Sequence, residues 1–384
     1  MPTPAYLNVD IINPSTGTTV AVNGTFVGSP NLDPSNIAIG VAPTGIAVTS
    51  HNNTLIGGGA GLNMTLGYQN TAIGTTALLA VTTGWDNTAV GTTALMANTS
   101  GKYNVVIGNE ALKSNTTGNN SVAVGFEALK VYTSLPGQTA IGFGALKSTV
   151  TGIQNTAVGL SSLGLATGSS NTSVGHQSLV TLTSGNNNTA LGTTAGYLFN
   201  SGSNNTFVGN QAGYNFTSGT DNVLLGFANS ATASLQTGNN NILIGAGACY
   251  PSVPNVSNEI TFGNSSSAVL RCAVTSITSL SDARDKDEIT ELSAGLDFIN
   301  DIKPVSFIWK DRNEEGKQGI KDSGFTAQNL KEVQEKYNVS EEMKLVYEAN
   351  PEKLEASYSR LMPILVKAIQ ELSDKVEELQ PKKK

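Results

Sequence analysis

A short apolar run that ends in glycine recurs along most of the chain, almost always every 17 residues. The residue before the glycine is large and apolar, as in Ile73-Gly74, and the residue three before it is β-branched, as in Thr71. Positions two apart on a strand share a face, so each copy predicts a short β-strand. The repeat glycines are Gly40, Gly57, Gly74, Gly91, Gly108, Gly125, Gly142, Gly159, Gly175, Gly192, Gly209, Gly226, Gly245 and Gly263.

Two further columns accompany each strand. Asparagine dominates four residues before the glycine, as at Asn70 and Asn87, and a leucine follows four residues after it, usually preceded by alanine, as at Leu78. Runs such as Asn98-Thr99-Ser100-Gly101 supply turns between the columns. We therefore predict a stacked β-solenoid or β-roll with one copy per turn, two short strands per turn, asparagine ladders and a buried column of pre-glycine residues. The alternative is a disordered low-complexity segment.

Seventeen residues per turn enclose little apolar volume, so we expect several chains to associate and bury an outer apolar column. The array resembles the trimeric β-rolls of adhesin heads and of repeat-bearing phage fibres over about residues 36–263. That resemblance implies a mainly β, trimeric fibre. Trimeric autotransporters carry such heads too, but the signal peptide and membrane anchor that they need are not expected here.

The hydrophobic pattern changes after Lys286. Apolar residues at Ile289, Leu292, Leu296, Ile299 and Ile302 predict a helix, which Pro304 ends. A strand follows at 305–310, then a hairpin turn at 313–316 and a second helix from Ala327 to about Tyr337. The last helix is predicted over about 357–380. Its coiled-coil seam is predicted to consist of Leu361, Leu365, Ala368, Leu372 and Leu379.

Charge changes at the same place as the hydrophobic pattern. Residues 1–280 hold 12 of the 51 Asp, Glu, Lys and Arg residues, and residues 281–384 hold the other 39. We therefore predict a lead-in or attachment segment at 1–35, a fibre at 36–270, a linker at 271–280 and a small α+β domain at 281–384.

Four ordered motifs in the C-terminal part carry a second resemblance. They are Ser-Asp-Ala-Arg-Asp-Lys-Asp-Glu-Ile (281–289), Lys-Pro-Val-Ser-Phe-Ile-Trp-Lys (303–310), Gly-Phe-Thr-Ala-Gln-Asn-Leu (324–330) and Tyr-Ser-Arg-Leu-Met-Pro-Ile-Leu-Val-Lys-Ala-Ile-Gln-Glu-Leu (358–372). Together they resemble the endosialidase-type intramolecular chaperone that ends many phage tail fibres and tailspikes. The resemblance implies a domain that trimerises, templates the preceding β-structure and then cuts itself off with a Ser-Lys dyad.

Carried over to this sequence, the resemblance implies Ser281 as nucleophile, Lys286 as general base and Leu280–Ser281 as the cleaved bond. The chemistry requires a serine hydroxyl beside a lysine that is neutral when it accepts the proton. The enzyme activity expected is a serine peptidase that acts once on its own chain. The structural alternative is that Ser281 and Asp282 only cap the first helix.

Other candidate sites lie in the array. Glu110 and Glu127 are 17 residues apart and would stack on adjacent turns as a carboxylate pair, as a tailspike depolymerase requires. Lys113, Lys130 and Lys147 recur at the same period, so an exposed charge ladder is the alternative. Four aromatic residues of the later repeats are candidates for a sugar-stacking surface or for packing. They are Tyr197, Phe199, Tyr214 and Phe216.

Several site classes are not expected. A net charge of −7 without a basic stripe gives no nucleic-acid site, and the terminal Lys382–Lys384 are interpreted as a solvated tail. Cys249 and Cys272 form no disulfide framework, and His176 occupies a repeat position that phenylalanine fills elsewhere. No metal, cofactor or membrane-spanning segment is predicted.

The function predicted from the sequence is a tail fibre or appendage of a phage, in the virion, folded in the host cytoplasm. Its expected partners are two identical chains, a bacterial surface receptor of glycan or outer-membrane type, and other tail proteins at the N-terminus. A glycan-cleaving tailspike, an uncleaved repeat adhesin and a non-phage surface adhesin are the alternatives.

Overall fold

The structure is a computed structural model in which residues 36–39, 50–134, 136–228, 236–247, 255–263, 281–310, 319–348, 351 and 354–380 are described. The chain forms two compact units, one up to Asn264 and one from Ser265. The predicted lead-in 1–35 and linker 271–280 lie outside the described residues, as do Cys249 and Cys272. The predicted domain boundaries therefore stay predictions.

The first unit is a β-solenoid whose strands β1–β14 form one parallel sheet in chain order. Each strand pairs with the equivalent residues of the next repeat, so that Thr71 lies beside Thr88 and Ile73 beside Val90. One repeat is therefore one turn, and the predicted solenoid is confirmed. The strands are Ile37–Ile39, Thr54–Ile56, Thr71–Ile73, Thr88–Val90, Val105–Ile107, Val122–Val124, Thr139–Ile141, Thr156–Val158, Thr172–Val174, Thr189–Leu191, Thr206–Val208, Val223–Leu225, Ile242–Ile244 and Ile260–Phe262.

The predicted burial of the pre-glycine residues is wrong. The middle residue of the strand faces the core, as at the fully buried Ala72 and Val106, whereas the pre-glycine Ile107 is 43% exposed. The buried asparagine Asn104 lies two residues before Val106, and positions two apart share a face of a strand. The residues before the glycine therefore point outwards together with the β-branched column.

The predicted second strand of each turn is also absent from the described part of the solenoid. After the glycine the chain passes through turns in which the leucine of the Ala-Leu column has positive φ, for example +50° at Leu78. A left-handed residue cannot continue an extended strand. Both members of the column are nevertheless buried, as at Ala77 and Leu78, so the column is confirmed as core.

The leucine of the Ala-Leu column lies at a corner of the turn. The size of the residue at this corner varies inversely with the size of the buried strand residue. Most turns combine a small strand residue with a corner leucine, whereas one turn combines Phe207 with Gly213 and another combines Leu55 with Gly61. A Cβ on Gly213 would lie 2.6 Å from Cε1 of Phe207, and one on Gly61 would lie 2.9 Å from Cδ2 of Leu55. A close-packed interior accepts the larger strand residue only when the corner loses its side chain.

The repeat glycines are required by the spacing between turns. Gly91 has φ of +137°, and a Cβ at this position would lie 2.5 Å from the carbonyl oxygen of Gly108 on the next turn. Backbone atoms cannot give way at that distance, so neither the conformation nor the space admits a side chain.

The predicted asparagine ladder is confirmed. The Nδ2 of Asn70 donates to Oδ1 of Asn53 at 3.2 Å and to the carbonyl of Gly84 at 2.9 Å. The backbone N–H of Asn70 also donates to Oδ1 of Asn53, at 2.9 Å. The ladder joins three turns through groups that are buried, so leaving one unpaired would cost about 1–3 kcal/mol. Ser121, Gln138 and Glu259 replace asparagine in three turns.

The second unit is a small α+β domain. Its elements are α1 (Leu296–Asp301), β15 (Val305–Ile308), β16 (Lys321–Gly324), α2 (Ala327–Lys336), α3 (Ser340–Met343), β17 (Val346–Tyr347), β18 (Glu355–Ala356) and α4 (Leu361–Leu379). β15 pairs antiparallel with β16, and β17 with β18. The core is formed mainly by Phe298, Leu330, Val333, Leu345 and Ile364. The predicted strand, second helix and last helix are confirmed, and the predicted hairpin turn 313–316 lies outside the described residues.

The first predicted helix is shorter than expected. It begins at Leu296 rather than near Ile289, which is exposed in a non-helical segment. The carboxylate of Glu371, on α4, accepts the N–H of Leu296 at 2.6 Å and satisfies the start of the helix from outside. Among the described residues, no helix has the length and apolar character needed to cross a membrane.

Candidate functional site

Ser281 and Lys286 lie together on a short turn, at the first described residues of the second unit. The Nζ of Lys286 donates to Oγ of Ser281 at 2.7 Å and lies 3.4 Å from the carbonyl oxygen of the same serine. A single 3₁₀ turn, Ala283–Asp285, folds the segment back so that residues five apart meet. One chain therefore places both predicted catalytic residues within hydrogen-bond distance of each other, as a serine nucleophile and its base require.

Asp282 explains why the turn forms. Its carboxylate accepts the backbone N–H of Arg284 at 2.9 Å and also pairs with the guanidinium of Arg284. The hydrogen bonds from Arg284 hold the pKa of Asp282 below its usual range. The capping alternative therefore applies to Asp282, which caps only this 3₁₀ turn, while the Ser281 hydroxyl contacts Lys286.

The surroundings of the pair are open. Residues 281–290 are all exposed in the single chain. A lysine accepts a proton only in its neutral form, which burial favours. The geometry of a Ser-Lys dyad is thus present, and polypeptide that covers it would complete the environment that the reaction needs. Leu280, on the other side of the predicted cleaved bond, lies outside the described residues.

The sequence of this region matches a known family. Residues 281–338 match the model of a peptidase family described as the chaperone of endosialidase. The C-terminal unit contains an endosialidase chaperone domain. The match includes Ser281, Lys286 and the elements from α1 to α2 of the endosialidase chaperone domain. No curated protein and no solved structure matches the chain significantly. The chaperone domain and the 17-residue solenoid together fit a phage tail fibre or tailspike.

The candidate carboxylate pair of the array, Glu110 and Glu127, forms a charge ladder with lysines. Glu110 pairs with Lys113 at 3.0 Å and with Lys130 at 2.6 Å, and Glu127 pairs with Lys130 at 2.6 Å and with Lys147. Hydrogen bonds from Lys130, followed by those from Lys113 and Lys147, lower the pKa of both carboxyl groups. A general acid needs a raised pKa, so this arrangement does not suit glycosidic cleavage.

The four aromatic candidates of the later repeats separate into two pairs. Phe199 and Phe216 are fully buried and stack on each other in the core. Tyr197 and Tyr214 are half-buried on the outside, with ring centroids 5.0 Å apart. Packing therefore explains the phenylalanines, and only the tyrosines reach the surface. His176 is exposed on the outer side of the solenoid.

The coiled-coil seam of α4 differs from the prediction. Leu361 and Ala368 are buried in their own domain, so these two predicted members are wrong. Apart from Val366, the exposed large apolar residues of the helix instead follow an unbroken alternation of three and four residues, with Ile369 66% exposed. We call this set the α4 seam: Met362, Leu365, Ile369, Leu372, Val376 and Leu379. Sequence reasoning could have found it, because this register has no skipped position, whereas the predicted one skipped Lys375.

The outer face of the solenoid sheet carries a second exposed apolar surface. It consists of the pre-glycine residues and the β-branched column, and each of these positions in the fourteen strands is Ile, Val, Leu, Thr or Phe. Ile39, Ile107, Leu191 and Phe262 are among its exposed members. A continuous apolar face of this length is rare on a chain that acts alone.

Proposed function

We propose that this protein is a phage tail fibre that attaches to the host surface. Its solenoid would form the durable shaft, and its endosialidase chaperone domain would assemble that shaft and then release it by self-cleavage. The observation that carries the proposal is the 2.7 Å contact between Ser281 Oγ and Lys286 Nζ, inside a matched chaperone domain that follows a repeat solenoid.

The assembled form that we propose is a homotrimer. Two apolar surfaces of the single chain support association, namely the outer face of the solenoid sheet and the α4 seam. In the seam, Met362, Ile369 and Val376 take the a positions and leucines take the d positions. Branched a residues with leucine at d favour two strands in isolated parallel coiled coils, so the number three rests on the resemblance to the trimeric family.

The cleavage that we propose uses the position of Ser281 directly after the scissile bond. Neutral Lys286 takes the proton of the Ser281 hydroxyl, and Oγ attacks the carbonyl carbon of Leu280. The C–N bond breaks, the Ser281 nitrogen gains a proton, and an ester joins Leu280 to Oγ. Water then hydrolyses the ester, which leaves a carboxylate on Leu280 and a free amine on Ser281.

The experiment is an intact-mass measurement of the purified full-length protein. Wild type is expected to give one fragment ending at Leu280 and one of 384 − 280 = 104 residues beginning at Ser281. Ser281→Ala and Lys286→Ala should each leave one chain of 384 residues. Ser293→Ala and Lys303→Ala remove the same groups elsewhere in the domain and should cleave like wild type.

The result that overturns this part of the proposal is an assembled wild-type protein that remains a single 384-residue chain. The chaperone domain would then act as a resident assembly domain, as in the uncleaved adhesin alternative. Cleavage that persists in both Ser281→Ala and Lys286→Ala would equally show that these two residues are not the catalytic dyad. Attachment itself is tested separately, by binding of the fluorescently labelled fibre to bacterial cells.

A further inference from the structure

A row of aromatic rings lies on the outside of the first described turns of the solenoid. His51, Tyr68 and Trp85 follow each other at the 17-residue period, with ring centroids 5.2 Å apart and interplanar angles of 11° and 10°. The row ends at Tyr103, whose ring lies 4.5 Å from that of Trp85 but is turned by 74°. Tyr103 is thus the ring that does not continue the face-to-face stack.

The same column is polar in most of the later turns, apart from Pro136 and Ile153, and some of its polar side chains have a structural role. Asn119 Oδ1 accepts the backbone N–H of Lys102 at 2.8 Å, and Asn186 Oδ1 accepts that of Ser169 at 2.8 Å. The indole of Trp85 has no acceptor, and the only oxygen of the Tyr68 side chain is at the far end of its ring. The aromatic turns therefore lack a ladder bond that Asn119 and Asn186 make in later turns, so the rings are not explained by this bond.

Lys102 provides the charge of this surface. Its Nζ lies 5.0 Å from the centroid of the Trp85 ring and 5.9 Å from that of Tyr103. Lys113, Lys130 and Lys147 all form ion pairs with glutamates, whereas Lys102 forms none within the described part of the chain. The ammonium is held by ring contacts and keeps its hydrogen-bond donors available.

The exposure of the surface is concentrated at its end. Tyr103 is 45% exposed, and Leu66 is exposed beside the row. The neighbouring turns contribute short neutral side chains, such as Thr83 and Ser100. The surface therefore joins an accessible ring to one cation that forms no ion pair in the described part of the chain, and the half-buried Asp86 lies one turn before Tyr103 in the same column. A sugar that carries a carboxylate matches both features, since its C–H face packs against an aromatic ring and its carboxylate accepts from an ammonium.

We propose that Trp85, Lys102 and Tyr103 form a binding site for an acidic sugar, a uronic or sialic acid unit of a surface glycan. Tyr103 packs against the sugar ring, and Lys102 Nζ donates to the carboxylate. Trp85 is the positioning residue, because its ring fixes both Lys102 and Tyr103. This inference rests on the proposed attachment function, for which it names the ligand class and the site.

The test is titration of the full-length protein with two acidic probes, trigalacturonate and 3′-sialyllactose, each beside its carboxyl methyl ester. Wild type is expected to bind at least one acid and to bind the matching ester roughly tenfold or more weakly. Lys102→Met and Tyr103→Ala should each weaken binding of that acid roughly tenfold, whereas Lys102→Arg should retain it.

Matched controls come from the same solenoid. Lys147→Met removes one positive charge, and Tyr214→Ala removes one stacked surface tyrosine, both far from the row in sequence. Both should bind the acid like wild type, and thermal unfolding checks that every variant is folded. The proposal is overturned if neither acid binds, if acid and ester bind equally, or if the Lys102 and Tyr103 variants bind like their controls.

A cell-binding arm separates this proposal from the attachment function. Labelled wild-type fibre is applied to a panel of bacterial strains alongside Lys102→Met and Lys147→Met. If the fibre binds cells and both variants bind equally, attachment stands and the acidic-sugar site is wrong. If wild type binds none of the strains while it binds an acidic probe, the site stands and attachment loses its support.

Discussion

The solenoid and the chaperone domain both have side-chain cores but differ in how closely their backbone segments approach each other. In the solenoid, backbone approaches backbone so closely that Gly91 and its equivalents admit no side chain, and buried asparagines join the turns. In the chaperone domain, side chains such as Phe298 and Ile364 form an ordinary core, and the α4 seam remains exposed. Both units have a side-chain core, and the first also depends on close backbone spacing between turns and on asparagine ladders.

The difference bears on assembly. Every turn of the solenoid offers nearly the same strand, glycine and asparagine to its neighbours, so identical chains can meet in several registers that differ by whole turns. The chaperone domain has no repeat, and its seam has defined ends at Met362 and Leu379. A non-repetitive domain at the C-terminus can therefore set a register that the repetitive shaft does not set for itself.

The largest effect that we expect comes from adding one methyl group between turns. Gly91→Ala places a Cβ 2.5 Å from the Gly108 carbonyl at a φ of +137°, and the backbone cannot move away. We expect a loss above about 5 kcal/mol, the exceptional range for one substitution, and insoluble protein. In the chaperone domain, Gly319→Ala meets no atom within 4 Å at a φ of +81° and should cost only about 1–2 kcal/mol. Solubility and thermal unfolding of the two variants measure the contrast.

The next effect concerns the exchange of volume inside the solenoid. Phe207→Ala empties a buried ring beside Gly213 and should destabilise the protein by about 3–5 kcal/mol. Adding Gly213→Leu recreates the alanine-and-leucine pair of the other turns, so the double variant should regain most of that loss. Denaturant unfolding checks both. A double variant that is less stable than Phe207→Ala would contradict the exchange.

A third effect separates the two faces of α4. Ile369→Asp places a charge in the α4 seam and should remove roughly 2 kcal/mol of apolar burial per chain, so that chains dissociate while the domain stays folded. Gln370→Asp adds the same charge at an exposed position outside the seam and should leave assembly unchanged. Light scattering after size-exclusion chromatography reports the mass. Equal masses for both variants would show that the seam does not hold the assembly together.

The smallest effect concerns the charge ladder. Because hydrogen bonds from lysines lower the pKa of Glu110 and Glu127, their contribution is present above the ordinary value of 4.5 and is lost as the pH falls through the lowered values. Glu127→Gln should therefore lower the thermal midpoint slightly at pH 7, and the difference should shrink as the pH falls below 4.5 and in high salt. Glu341→Gln, outside any described ion pair, is the control.

The sequence predicted the period, the glycines, the asparagine ladder and the chaperone motifs, because each depends on contacts that recur between equivalent positions. The buried face of the strand was assigned wrongly, although Asn104 and Val106 are two residues apart and therefore share one face, the buried one. The combination of the large Phe207 with Gly213 also indicates that the middle residue of the strand lies in the core. The α4 seam was missed because the predicted register was kept although it skips Lys375, and the burial of Leu361 and Ala368 in their own domain is what the tertiary structure adds.

Refolding shows whether the chaperone domain is needed to assemble the shaft before it leaves. The purified cleaved shaft and the uncleaved Ser281→Ala chain are both denatured, diluted and weighed by light scattering. We expect Ser281→Ala to regain its assembled mass and the cleaved shaft to stay monomeric or aggregate, since only the former retains the α4 seam. If the cleaved shaft regains the assembled mass as fully as Ser281→Ala does, the domain is not needed for assembly and the account is wrong.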